Sequence, residues 1–251
     1  MNVALQDVPG RKSSLMRIAV LTTETTHHTF FVRELGKVFP ELCVVVEQQT
    51  LSPRFETHHP FEHEREEYER RVFFDGNGTT LADIARPFLV DSVNDPRALE
   101  HLTRLKPDVM VVFGTGIIRE ELLRLASPNM VNLHGGDPEA YRGLDSHLWA
   151  IYHRDYSNLI TTLHYVNKDL DDGEIILQAP IRLFPGMRLH ELRRFNTEVC
   201  VQLVVSALDM YARFGRFISR PQRSSGRYYS FMPAVLKDIC VKRFESYTAK
   251  L

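Results

Sequence analysis

Residues 131–143 read VNLHGGDPEAYRG, with Asn132 and His134 two apart at the end of an apolar run. In an extended segment alternate side chains share a face, so Asn132 and His134 point the same way and Leu133 points into the opposite layer. An amide and an imidazole on one face can give two N–H groups to a single developing oxyanion. Gly135 and Gly136 follow at once, letting the chain turn sharply and leaving room beside the pair. A buried Asn and His that merely satisfy local backbone groups are the alternative. The pairing at a strand end, before a glycine turn, favours chemistry. A third group is needed to set the charge of the imidazole. The segment LHYVNKDLDDGEIILQ (163–178) carries Asp169, Asp171 and Asp172 in a polar loop that ends at Gly173. A carboxylate there, facing His134, would raise its pKa and could take up a proton. By spacing alone, however, a plain hairpin turn is the better reading, since Asp and Gly are common turn formers.

These residues need elements to position them. RIAVLTT (17–23) reads as a buried strand, HTFFVRELGKVF (28–39) as an amphipathic helix and LCVVVEQ (42–48) as a second strand, which together make a parallel βαβ unit. Residues 61–74 are charged and helical in pattern and read as a solvated helix. DGNGTT (75–80) is a break, FLVDSVN (88–94) a short strand, and DPRALEHLTRLK (95–106) a helix with Asp95 as N-cap and Pro96 first in the helix. PDVMVVFGTG (107–116), IREELLRLA (118–126) and NMVNLH (129–134) continue as strand, helix and strand. A helix over 144–155 follows, then strand-like runs at 159–166 and 174–183, and a long helix over 189–215 closed by Gly215. A Gly/Ser-rich loop and a short helix end the chain. The fold class is α/β: an open, mostly parallel, Rossmann-like sheet with helices on both faces. Residues 1–15 are expected to be a flexible extension, with Met16 a candidate start. Residues 16–215 form the catalytic domain, and 216–251 a C-terminal extension packing on it.

Composition narrows the functions. Of 251 residues, 43% are hydrophobic, enough for a substantial core. Lys and Arg number 31 against 32 Asp and Glu, so there is no basic footprint for nucleic acid. No apolar run reaches membrane-spanning length, and the first residues lack the apolar region of a signal peptide. Cys43, Cys200 and Cys240 lie far apart, without paired spacing, which fits a cytoplasmic protein. His27–His28 and His58–His59–His63 raise a metal hydrolase as a rival. Adjacent histidines in a strand diverge and no carboxylate pattern accompanies these, so no metal is expected.

The stretch NLHGGDPEAYRG, followed by LHYVNKDLDDGEIILQ, resembles the formyltransferases that use N10-formyltetrahydrofolate. The resemblance runs from about residue 107 to 183, and more weakly from Met16 to the end. It implies that Asn132, His134 and Asp171 are the catalytic trio. A neutral amine attacks the formyl carbon, the Asn132 amide and protonated His134 hold the oxyanion, and Asp171 keeps His134 charged and accepts the amine's proton through water. It also implies a pterin slot made by Gly116, Ile117, Ile118, Val166 and Asp169. Where the family often has H-x-S-L-L-P, this chain has HGGDPEA, which leaves the trio intact and alters the acceptor side.

Three amines are the family's usual acceptors. The balanced charge and the short stretch after the long helix argue against initiator tRNA. LTTETTHHTFF stands where a glycinamide ribonucleotide enzyme has a Gly-rich phosphate loop. LTTETTHH, AYRGLDSHLWA and GRYYSFMP are similar to segments of nucleotide-sugar N-formyltransferases. The resemblance therefore implies a nucleotide-linked 4-amino-4,6-dideoxysugar, GDP-perosamine-like, as partner, with Tyr141, Arg142, Asp145 and His147 on the substrate. Thr26 reads as the N-cap of the first helix, whose N-terminus could also receive an anion. A homodimer is compatible with this reading. The non-enzymatic alternative is a nucleotide-sugar-binding protein that keeps the formyltransferase core.

Overall fold

The computed structural model describes residues 16–49, 52–126 and 129–251. The expected extension at 1–15 lies outside the described residues. The elements in order are β1 (Ile18–Thr22), α1 (Thr26–Val38), β2 (Cys43–Glu47), α2 (Pro60–Phe74), α3 (Leu81–Ile84), β3 (Phe88–Val90), α4 (Pro96–Leu105), β4 (Val109–Phe113), α5 (Glu120–Ala126), β5 (Met130–His134), β6 (Tyr141–Gly143), α6 (Ser146–Tyr152), β7 (Ile160–Tyr165), β8 (Ile175–Pro180), α7 (Leu192–Phe214), β9 (Arg227–Tyr229) and α8 (Ala234–Thr248).

Among the described residues, seven strands form one sheet in the order β3-β2-β1-β4-β5-β7-β8. The first five are parallel, while β7 runs antiparallel to β5 and β8 to β7. The central strands β1 and β4 are buried throughout, which is why they read as unbroken apolar runs. Both faces are covered. Phe31, Val32 and Leu35 of α1 and Val199, Leu203 and Ala207 of α7 fill one side. Ala98 and Leu102 of α4 and Leu122 of α5 fill the other. A third cluster joins α6 to the C-terminal segment through Leu148, Ile151, Met232, Cys240 and Phe244.

Four expectations need correction. The N-cap of α1 is Thr25, whose hydroxyl accepts from the His28 N–H at 3.4 Å; Thr26 is already helical. The charged helix α2 is not merely solvated: it buries Phe61, Tyr68, Glu69, Phe73 and Phe74. Its apolar residues are few but large, so charge count hides them. The last helix is 15 residues long, not short. Finally, β6 and β9 pair in parallel as a small second sheet, too brief at three residues each to show a period.

Candidate active site

A cleft of about 560 Å³ opens at the carboxyl ends of β4 and β5. This is beside the point where the strand order reverses and crossovers diverge, the usual place for a ligand in an open α/β sheet. Asn132, His134 and Asp171 all line it. The alternation in β5 works as expected: Leu133 packs into the core, while the Asn132 and His134 side chains meet at Asp171. The antiparallel register sets Asn132 opposite His164 and His134 opposite Thr162, adding His164 to the same face.

The 167–173 loop brings Asp171 to this group. Asp171 Oδ2 lies 3.5 Å from His134 Nδ1 and accepts the Gly143 N–H at 2.8 Å. Asp171 Oδ1 lies 3.5 Å from both Asn132 Nδ2 and His164 Nε2. Gly173 closes the loop against the β7 backbone; a Cβ there would fall 1.7 Å from the Tyr165 carbonyl oxygen, so only glycine fits. Burial by itself would raise the Asp171 carboxyl, but His134, His164 and the Gly143 amide outweigh it and hold it at about 2. The carboxylate is thus ionised at neutral pH.

His134 departs from the sequence expectation. Asp171 does push its pKa up, yet burial pushes it down further, and the net direction is downward. Its polar neighbours, one hydrogen bond and one ion-pair contact, pull the other way. Nε2 meets the Tyr141 carbonyl at 2.8 Å and Nδ1 meets a carboxylate, so two acceptors flank the ring and only the imidazolium can donate to both. Asn132 Nδ2 is 3.2 Å from His164 Nε2. His164 Nδ1 faces the Tyr165 carbonyl at 2.8 Å and donates there, while Nε2 lies between the Asn132 amide and the Asp171 carboxylate.

The residues expected to form a pterin slot, Gly116, Ile117, Ile118, Val166 and Asp169, all line the same cleft. Ile117 is 68% exposed and Leu170 43% exposed, two apolar side chains bared to the cleft. Gly114 has φ 85 and a Cβ there would sit 2.5 Å from the His28 ring, so this stretch stays backbone-thin. A flat, partly apolar heterocycle fits such walls.

The acceptor side is only partly as expected. Asp145 and His147 line the cleft. Asp145 accepts from the Met232 N–H at 2.8 Å, and burial raises its pKa. His147 donates Nε2–H to the Ile160 carbonyl at 2.7 Å, and burial lowers it to about 4, so it is neutral rather than a cation for phosphate. Tyr141 and Arg142 are corrections. Neither is among the lining residues. The Tyr141 hydroxyl donates to Asp155 at 3.1 Å, and the Arg142 guanidinium binds Asp172, Gln222 and the Pro138 carbonyl. Tyr141 and Arg142 therefore brace the wall from behind, while Gly143, next in the chain, lines the cleft.

Residues the sequence left unassigned complete the cleft: His27, His28, Phe61, Arg65, His164 and Arg193. His27 and His28 lie in a helix, not a strand, with ring centroids 4.0 Å apart. Burial drives both down, His28 to about 3, so they stand as neutral rings against Phe113. Burial, then the neighbouring Arg193, lowers Arg65 to about 10. No local pattern links α1, α2 and α7, and only their packing does. His164 alone was legible in principle, as a polar residue in an apolar strand, had the register with Asn132 been known. Among the described residues no cluster of metal-ligand type is found.

Comparison with known proteins bears on the family and the fold. The chain is 31% identical over 133 residues to the methionyl-tRNA formyltransferase of Roseiflexus sp. (strain RS-1), a match covering 53% of this chain and 40% of that protein. The chain thus spans less than half the length of that curated relative. Among solved structures, a sugar N-formyltransferase from Shewanella sp. superposes with TM-score 0.59 at 14% identity, covering 91% of this chain and 87% of that one. The formyltransferase PseJ from Anoxybacillus kamchatkensis, solved with UDP-4,6-dideoxy-4-formamido-L-AltNAc and tetrahydrofolate, gives 0.50 at 17% identity, covering 85% of each chain. At these identities the likeness is one of fold and selects no acceptor. Residues 16–208 match the model of the formyl transferase family, and the chain belongs to that family.

Proposed function

We propose that the protein transfers a formyl group from N10-formyltetrahydrofolate to the 4-amino group of a nucleotide-linked dideoxy amino sugar, GDP-perosamine-like, in the cytoplasm, for surface polysaccharide such as O-antigen of lipopolysaccharide. The observation that carries it is the convergence of Asn132, His134 and Asp171 in one cleft of a formyl transferase chain. Gly116, Ile117, Ile118, Val166 and Asp169 would hold the folate, whose bound form supplies a formyl carbon attached to nitrogen. Asn132 Nδ2 and His134 Nε2 offer N–H groups to a carbonyl oxygen on the cleft side of β5. His134 trades the Tyr141 carbonyl for that oxygen, and the growing negative charge there joins Asp171 in offsetting the burial that favours the neutral ring. Asp171 would accept the proton released by the amine, directly or through one water, and return it to the folate nitrogen as the bond from that nitrogen to the formyl carbon breaks and tetrahydrofolate leaves.

The sugar reading is supported by Asp145, His147, Tyr228 and Phe231, which line the same cleft. Polar groups beside open aromatic faces suit a sugar nucleotide. The 31% relative favours Met-tRNA as the second reading, and glycinamide ribonucleotide is the third. The test is incubation with N10-formyltetrahydrofolate and each acceptor in turn, including GDP- and dTDP-linked 4-amino-4,6-dideoxysugars, read by mass spectrometry. A formamido sugar is expected. Formyl transfer to Met-tRNA or glycinamide ribonucleotide, and none to any amino sugar, overturns the acceptor and leaves the trio standing. Light scattering on the same sample tests for a homodimer.

A further inference from the structure

Asp171 sits at φ 51, in the left-handed region. A residue with a Cβ stays there only when its surroundings hold it. The carboxylate is held by Gly143 and faces His134, as described. The backbone is held from the other side. Gln222 Nε2 donates to the carbonyl oxygens of Asp171 at 2.8 Å and Gly173 at 2.9 Å, so one amide group spans the turn. Register explains how Gln222 arrives there. Ile175 and Arg220 exchange two backbone hydrogen bonds of 2.9 Å as an antiparallel bridge. Two residues on from Arg220 and two back from Ile175 must then face one another.

The amide cannot turn over. Gln222 Oε1 accepts from the Arg142 guanidinium at 2.9 Å, and a guanidinium only donates, so the nitrogen is left for the two carbonyls. Arg142 also binds the Asp172 carboxylate and, through Nε, the Pro138 carbonyl at 3.1 Å. It directly precedes Gly143, whose N–H binds Asp171. One short stretch therefore grips the turn at its carboxylate and, through Gln222, at its backbone. Gln222 lies beyond residues 16–208, outside the part of the chain that the family model matches.

We infer that Gln222 is a positioning residue for the proposed formyl transfer: with Arg142 it clasps the 171–173 turn so that the Asp171 carboxylate stays on His134. This inference rests on the proposed function for its kinetic consequence, and on geometry alone for its effect on His134. The groups facing His134 are Asp171, His164, His147, Asp137 and the Tyr141 carbonyl. Of these, the clasp governs Asp171.

The test uses Gln222→Met, which keeps the length and removes both donors, and Gln222→Glu, which sets a carboxylate against two carbonyls. Gln222 is half-buried and belongs to no core cluster, so both variants should fold. His134 is followed by NMR titration of histidine-labelled protein, alongside tetrahydrofolate binding and turnover. In both variants His134 is expected to titrate at lower pH than in the wild type, because a raising charge has moved away. Turnover should fall by about tenfold to a hundredfold while tetrahydrofolate affinity stays within about twofold. An unchanged His134 titration in the folded variants overturns the inference, even if turnover falls, since the loss would then come from packing. If the wild type formylates no acceptor, the proposed function fails by itself and the His134 titration still decides the clasp.

Discussion

At the residue scale, His134 is caught between opposing demands. Its burial favours the neutral ring, while its two acceptors favour the cation. A substrate oxygen that develops negative charge would tip the balance toward the cation when it is needed. Asn132→Ala and His134→Ala should each fold and lose most turnover. Removing one donor to an oxyanion typically costs on the order of 2.7–4 kcal/mol of barrier. Near-normal kcat in either folded variant would remove that residue from the mechanism. Asp171→Asn should abolish turnover while tetrahydrofolate still binds, because shape is kept and charge is lost. Asp172→Asn should be milder, since Asp172 only braces Arg142. If Asp172 proves the essential carboxylate, the trio has been assigned one residue out of register.

At the element scale, α2 is the piece whose role differs most from its appearance. Fully buried Glu69 receives two hydrogen bonds of 2.6 Å from Arg193, tying α2 to the start of α7. Both helices also send residues into the cleft: Phe61 and Arg65 from one, Arg193 and Asn196 from the other. Breaking a buried pair by removing one partner leaves a charge without compensation, at about 3–5 kcal/mol. Glu69→Leu should therefore lower stability by that order in urea titrations and loosen the part of the cleft lined by Phe61, Arg65, Arg193 and Asn196. A loss of only a few tenths would mean that α2 docks through Phe61, Tyr68, Phe73 and Phe74 alone.

At the scale of the whole molecule, acid should weaken the fold earlier than a near-neutral net charge suggests. His28 and His147 are held at about 3 and about 4 in the folded chain, while in the unfolded chain they titrate near 6.5. The unfolded state therefore binds more protons below that value. Stability should be full above pH 6.5 and should fall as pH drops toward 4, by about 1.4 kcal/mol per pH unit for each such histidine. His27 and His134 shift in the same direction. Asp171 acts lower: its contribution is present above its unfolded value of 3.8 and is lost as pH falls through about 2. Denaturant titrations from pH 8 to pH 4.5 check this. A flat profile would contradict the enclosed, neutral state of these rings. His147→Gln should make the slope shallower by one proton.

What the sequence determined by itself follows from periodicity and local chemistry. Buried parallel strands such as IAVLT and VMVVF are apolar on both faces, so they announce themselves, and the helices between them fix the crossovers. The N-x-H at a strand end fixes a shared face for Asn132 and His134, because alternation in a strand is a local rule. The family segments then pointed to Asp171 over Asp169 and Asp172, which spacing alone did not separate. Tertiary structure decided the rest, because those relations link residues far apart in the chain. Strand register set His164 against Asn132. Helix packing collected His27, His28, Arg65 and Arg193 into one wall. The long-range bond network turned Arg142 from an expected substrate contact into half of a clasp with Gln222. Desolvation, which no local pattern measures, reversed the expected direction for His134.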